Sequence, residues 1–394
     1  MNNNLKNIDI KELIRNSYDD MLSIRRHIHS NPELSYKEHQ TADFVMNKLD
    51  EYGIESRKCT DTGVVAHIGS GKPCIALRAE MDALPIEEDT GLEFSSKNKG
   101  VMHACGHDMH TTMLLIVAKT LKGMESDLKG TVKLIFQPGE EKTPGGASIM
   151  IKEGVLENPK PDMIFGQHIY PEAKTGTLSF NSGPVMGAAD EIYIKVIGKS
   201  THAAQPHLGS DPITAATKLI SYYSDILVKQ KDPIDSGVIN ITSIHGGTTT
   251  NIVPDVVQMQ GTMRSFNPEW RNEIHSIIVE KSKQLCEIYN CRCEFDLVKG
   301  YPPVINDVRA TELAKKTAIS QFGDEMVLDF TPKMWAEDFS FYGEVIPSCF
   351  WFLGVKKEGL ESMPALHNSK INPDEKAMIN GSSMMVSLVL DYLG

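Results

Sequence analysis

The stretch "MHACGHDMH", residues 102–110, sets three imidazoles and a thiol close together: His103, Cys105, His107 and His110. Thiolate and imidazole are borderline-soft donors of the kind that hold Zn²⁺, Mn²⁺ or Co²⁺. Cys105 and His107 stand two apart, with small residues around them, just ahead of a helix-like run. The stretch alone admits three readings. It is a metal site, a polar turn with a run of histidines, or a cysteine nucleophile with an imidazole partner.

Other segments carry residues of the same chemical type. Glu140 and Glu141 follow the strand-like run "GTVKLIFQ". His168 closes "PDMIFGQH", Asp82 follows "CIALRAEM", and His367 lies in the loop after "SCFWFLGV". In open α/β sheets, sites form beyond the carboxyl ends of the strands. Four strand-like runs therefore aim ligand-type side chains at one edge. The adjacent glutamates suit two roles. A carboxylate on a cation stays ionised, while one beside it exchanges a proton with water and then with a leaving amine. Without these neighbours the pair reads as an exposed acidic loop. Asp82 reads either as a residue orienting a ligand imidazole or as a turn residue.

The elements that must position these groups follow from periodicity. Residues 9–29 and 36–52 read as amphipathic helices around "SNPELSY", and 109–122 as a helix with Asp108 as its N-cap. "GVVAHIGSGKPCIALRAEMDALP" reads as strand, tight hairpin turn, strand; Pro73 and the lack of a following helix argue against a phosphate loop in "GSGK". From about residue 187 the rhythm becomes β-α-β-β-α-β, the ferredoxin-like unit. The expected fold is α/β. A catalytic domain, residues 1–186 and 301–394, has a central mixed sheet flanked by helices, and a ferredoxin-like α+β domain, residues 187–300, is inserted in it.

Composition narrows the function. The 394 residues carry 40 basic and 52 acidic side chains, a net charge of −12, which disfavours nucleic acid as a partner. No apolar run reaches the roughly 18 residues of a membrane span. The opening "MNNNLKNIDIKELIRNSYDD" lacks the apolar core of a secretory signal, so the cytoplasm is expected. Seven cysteines, an odd number, do not read as a disulfide scaffold, and "CRC" at 291–293 reads as strand rather than metal site.

The motifs "RAEMDALP", "MHACGHDMH", "FQPGEE", "GQHIYP", "GKSTHAAQPHLGSDPI", "TTTNIVPD", "AEDFS" and "LHNSKIN" occur in this order. Together they resemble the M20 metallopeptidase family, in the branch of amidohydrolases that cleave N-acyl-amino acids: hippurate hydrolases, aminoacylases and auxin-conjugate hydrolases. The resemblance runs from about residue 20 to residue 390. It implies two divalent metal ions per subunit, Mn²⁺ or Zn²⁺ with Co²⁺ also fitting, held by Cys105, His107, Glu141, His168 and His367. It makes Glu140 the general base and then general acid. It gives His202, from the partner subunit, the oxyanion, and gives Asn251 and Arg264 the substrate near its carboxylate. It implies a homodimer formed through the inserted lid domain and a small N-acyl-amino acid or short peptide as substrate. Dipeptidase, aminopeptidase and N-acetyl-diaminopimelate deacetylase activities fit the same motifs. Gly139 stands where alanine is usual, which is expected to loosen the loop, and Glu80 where aspartate is also common. His103 and His110 are not expected to be ligands. A thiol hydrolase using Cys105, or a metal-binding dimer without chemistry, are the competing classes; the first leaves Glu141, His168 and His367 unexplained, and the second has no use for Glu140.

Overall fold

The structure, a computed structural model, describes residues 9–229 and 236–394. Residues 1–8, where the segment read for a secretory signal begins, lie outside the described residues. The chain divides into two compact units: Met1–Val185 with Ile305–Thr331 and Asp338–Gly394, and Met186–Val304 with Pro332–Glu337. Among the described residues, no helix is long and apolar enough to cross a membrane.

The larger unit is built on an eight-stranded mixed sheet. Its order is Ser56–Cys59, Gly63–Gly69, Thr131–Gln137, Cys74–Glu80, Met163–Lys174, Ser348–Lys356, Leu178–Phe180 and Val327–Asp329. The four central strands run parallel, from Thr131–Gln137 to Ser348–Lys356. Both Cys74–Glu80 and Thr131–Gln137 are buried along their whole length, as expected of parallel strands covered on two faces. Side chains alternate across a strand. Ile75, Leu77 and Ala79, with Val132, Leu134 and Phe136, enter the main core, where helices His107–Gly123 and Ala377–Leu393 cover the sheet. That alternation leaves Arg78 and Glu80, Gln137, and His168 on the opposite rows. The register Arg78↔Gly166 sets Glu80 level with His168, and Glu80 pairs with Gln137. The polar rows thus end together at the carboxyl edge.

The smaller unit has a four-stranded antiparallel sheet, ordered Gly237–His245, Val256–Ser265, Ala188–Ile197, Arg292–Lys299. Helices Pro212–Lys229 and Pro268–Ile288 pack on it. This is the ferredoxin-like βαββαβ arrangement expected from the sequence. Cys291 and Cys293 of "CRC" belong to its apolar core, and neither joins a converging set of metal-type donors among the described residues.

Four local readings need correction. Gly63–Gly69 and Cys74–Glu80 do not form a hairpin, because Thr131–Gln137 lies between them, antiparallel to the first and parallel to the second. The short turn spans two strand spacings, about 10 Å, and a distant strand takes the place that turn chemistry assigned to a neighbour. The helix read over 9–29 is two, Ile10–Arg15 and Tyr18–Ser30. The strand carrying His168 continues past it to Lys174. Asp108 is not a cap: the helix starts at His107 behind Gly106, whose φ of +87° only glycine adopts freely.

Leu77 is fully buried at the centre of the parallel strands. Leu77→Ala is expected to cost about 2–5 kcal/mol, read as a lower denaturant midpoint with an unchanged slope.

Candidate metal centre

The site lies in the larger unit. His107 opens its helix, Cys105 precedes it, Glu140 and Glu141 follow Thr131–Gln137, and His168 sits within Met163–Lys174. His367 comes from a loop and has a positive φ of 63°. Its amide donates to Ala104 O at 2.9 Å, which ties that loop to the Cys105 segment. Cys105 Sγ lies 3.3 Å from His168 Nε2 and 3.3 Å from His367 Nε2. His367 Nε2 lies 3.2 Å from Glu141 Oε1. Three sets of donor atoms each fall within 4.8 Å of one another: Cys105–His107–His168, Cys105–Glu141–His367 and His107–Glu140–Glu141. Cys105, His107 and Glu141 each belong to two sets, so the donors describe overlapping sites rather than one.

Hydrogen bonds fix which nitrogens face the centre. His107 Nδ1 lies 2.9 Å from Asp82 O and 3.2 Å from Asp82 Oδ1, so it carries the proton and donates. Among the described residues, His107 Nε2 is buried with no hydrogen-bond partner. His168 Nδ1 likewise donates to Ile169 O at 2.8 Å, leaving Nε2 towards Cys105. An imidazole anchored through one nitrogen and bare at the other is the arrangement of a metal ligand. The orphaned Nε2 of His107, beside a thiol, two further imidazoles and carboxylates, fits a divalent cation. A fourth set, Glu80–His107–His110, is closed to metal. His110 Nδ1 binds Glu80 Oε2 at 2.9 Å, its Nε2 accepts Ile169 N–H at 3.0 Å, and Glu80 is also paired with Arg78.

The surrounding residues hold these donors in place. Asp82 also accepts from Ser35 Oγ at 2.7 Å and from Glu141 N at 3.0 Å, so it both orients His107 and pins the glutamate loop. This is the orienting role, and the bare turn reading of Asp82 falls away. Asp338 of "AEDFS" accepts from Arg78, Gln137 and the Ala147 amide, fixing the far end of that loop. Sequence reasoning assigned no role to Arg78, Gln137 or Asp338. The signal was present in "ALRAE", two charges at i and i+2 in an otherwise apolar strand. Asp108 accepts from Arg25 Nε and His29 Nδ1, both at 2.9 Å. His103 is buried with neither nitrogen partnered among the described residues.

The remaining candidates lie in the smaller unit. His202 and Asn251 are neighbours there: Thr201–His202 pairs with Ile252–Val253, and Ala203 N donates to Asn251 O at 3.0 Å. His202 Nδ1 accepts from Ala204 N at 3.1 Å, which places its proton on Nε2. Arg264 lies on a different strand and donates to Thr262 Oγ1 and Met263 O.

Burial and charge set the protonation of the metal-free cluster. Burial, then Glu141 and Glu140, push the Cys105 thiol well above its usual range. It is a neutral thiol near pH 7, which disfavours a thiolate nucleophile. Burial works to lower His107, but the Asp82 hydrogen bond and the charges of Glu80, Asp82 and Glu141 bring it up to about 10. Burial, with His110 beside it, keeps His168 neutral. Both raised ligands must lose protons to a cation. Titration with Zn²⁺ or Mn²⁺ at neutral pH is expected to release protons, seen by calorimetry in buffers of different ionisation heat. Affinity is expected to climb with pH and to climb less steeply above about 10, where His107 deprotonates unaided and the raised Cys105 thiol remains to lose its proton.

A family model described as Peptidase family M20/M25/M40 matches residues 76–391. An N-acetyl-L-cysteine deacetylase of Bacillus subtilis is 39% identical over 92% of this chain and 85% of its own length. Thermostable carboxypeptidase 2 of Saccharolobus solfataricus is 38% identical over 98% of both chains. Among solved structures, a Bacillus subtilis protein described as a dinuclear metal binding peptidase from the M20 family superposes with a TM-score of 0.83. It is 32% identical and covers 96% of this chain and 99% of that one.

Proposed function

The chain belongs to peptidase family M20/M25/M40, and from that membership we propose that it is a metal-dependent amidohydrolase that cleaves the amide bond of N-acyl-amino acids. The observation that carries the reading is the buried Glu140 carboxylate beside the convergence of Cys105, His107, Glu141, His168 and His367. Those five side chains would hold two divalent ions. Such ions supply Lewis acidity, which lowers the pKa of water and polarises a carbonyl. The mixed thiol, imidazole and carboxylate set suits Zn²⁺ or Mn²⁺, with Co²⁺ also accommodated.

Glu140 takes the proton from the attacking water and returns it to the departing amine. His202 carries its proton on Nε2, outward from the Ala204 amide, and so can donate to the oxyanion. It acts from the partner subunit of a homodimer assembled through residues 187–300. Asn251 and Arg264 hold the substrate near its carboxylate. Residues 1–186 and 301–394 form the catalytic domain and 187–300 the lid. The cytoplasm belongs to the same reading; seven buried free cysteines support a reducing compartment.

A second reading keeps the machinery and changes the substrate. The likeness to a carboxypeptidase over nearly the whole chain favours short peptides. Turnover of N-acetyl-amino acids, aroyl conjugates, N-acetyl-diaminopimelate and dipeptides, after reconstitution with each metal, separates the two. Glu140→Gln is expected to retain both ions by elemental analysis and to lose about 10²–10⁴-fold in kcat. Near-normal turnover by that variant removes Glu140 as the base.

A further inference from the structure

The loop that carries Glu140 and Glu141 is held by a short segment far from it in sequence. Glu38 is fully buried. Its Oε1 accepts the Gly139 amide at 2.8 Å and the Tyr36 amide at 2.9 Å, and its Oε2 accepts Thr62 Oγ1 at 2.7 Å. The hydroxyl of Tyr36 donates to Lys142 O at 2.6 Å and accepts the Gly145 amide at 3.0 Å. Its ring lies against Gly139, where an added Cβ would run into the ring carbons. Gly139 has a φ of +61°. Ser35, one residue earlier, binds Asp82, which holds the Glu141 amide. One six-residue stretch, Glu33–Glu38, therefore touches the loop on both sides of its two glutamates and the turn that orients His107.

We propose that Tyr36 and Glu38 are positioning residues that set the direction of the Glu140 carboxylate, by clamping the 139–145 loop at the Gly139 amide and across its mouth. Gly139 does not loosen this loop. Glycine at 139 admits the Tyr36 ring, and the ring does the stiffening that a β-carbon would otherwise supply. A carboxylate has no place in an apolar interior unless donors face it, and two amides and a hydroxyl do so here. The clamp acts on the backbone of the residue next to the base, and Glu38 belongs to none of the converging sets of donors among the described residues. Misplacing a reacting group by about 1 Å costs about 10²-fold in rate.

The inference rests on Glu140 as the base, so the test has one arm that needs no turnover. Glu38→Ala is expected to lower kcat about 10²-fold with KM and metal content unchanged. In the metal-free protein it is expected to speed amide hydrogen exchange over residues 138–146 and to leave the Cys74–Glu80 strand protected. Glu38→Gln presents an oxygen to the same amides and a reoriented partner to Thr62, and is expected to restore both readouts. Gly139→Ala is expected to be impaired, and the Tyr36→Ala/Gly139→Ala pair to recover part of that loss. Unchanged exchange over 138–146 in Glu38→Ala overturns the proposal, as does equal loosening of the whole sheet. A Glu38→Gln variant as impaired as Glu38→Ala overturns it too. Should Glu38→Ala fail to fold, the Tyr36–Gly139 cycle decides: additive losses refute the clamp and a compensating pair supports it. If the intact protein hydrolyses no acyl-amino acid, the function is wrong, and the exchange arm still judges the clamp.

Discussion

Asp82 is a carboxylate that cannot reach water, and much of the larger unit is arranged so that it need not. Burial penalises its charge, and the hydrogen bond and charge of His107, with Ser35 Oγ and the Glu141 amide, more than offset that penalty. An unpaired buried charge costs several kcal/mol. Its three donors therefore have to be in place together, and they come from three separate stretches of chain. The imidazole that opens a helix, the hydroxyl of an early loop and the amide next to the proposed base are located by the same two oxygens. The orientation of His107 and the path of the glutamate loop are consequences of one anion's need for partners.

The same logic governs the charge balance around it. Glu80 is answered by the charge of Arg78 and a hydrogen bond from His110, and Asp82 by His107. Burial first, and then the charges of Glu141 and Glu140, hold the Cys105 thiol protonated. A site with surplus negative charge and bare nitrogens is stable only with protons or cations in it. A thiol enzyme requires the reverse, a positive surround that frees the sulfur. The electrostatics thus separate two chemistries that residue types alone leave side by side.

What could be read from the sequence was local or periodic. The Cys105–His107 pair, the double glutamate and the β-α-β-β-α-β rhythm are signals carried by neighbours in the chain. The mixed α/β class followed from them. Several of the readings that failed are ones in which a distant partner outcompeted a local one. The turn at "GSGK" was chemically apt for a hairpin, but Thr131–Gln137 fills the place beside each strand. Asp108 had the composition of a cap, but Arg25 and His29 both claim its Oδ2. Gly139 looked like slack, because nothing near it in the sequence announces the Tyr36 ring. Asp338 is silent for a related reason, since its meaning lies in a pairing with Arg78, 260 residues away in the chain.

The strand order has a bearing on biosynthesis. Met163–Lys174 and Ser348–Lys356 are direct neighbours in the sheet, yet the whole smaller unit is threaded between them in the chain. Pairings this remote are slow to form, because a long loop must close before they give anything back. The early strands lack their Ser348–Lys356 neighbour, and the sheet lacks the Ala377–Leu393 helix that packs on it, until the ferredoxin-like unit has been made. Cys105 and His367 stand 262 residues apart in the chain, so a nascent chain cannot present the complete set of donors until the loop after Ser348–Lys356 has been made.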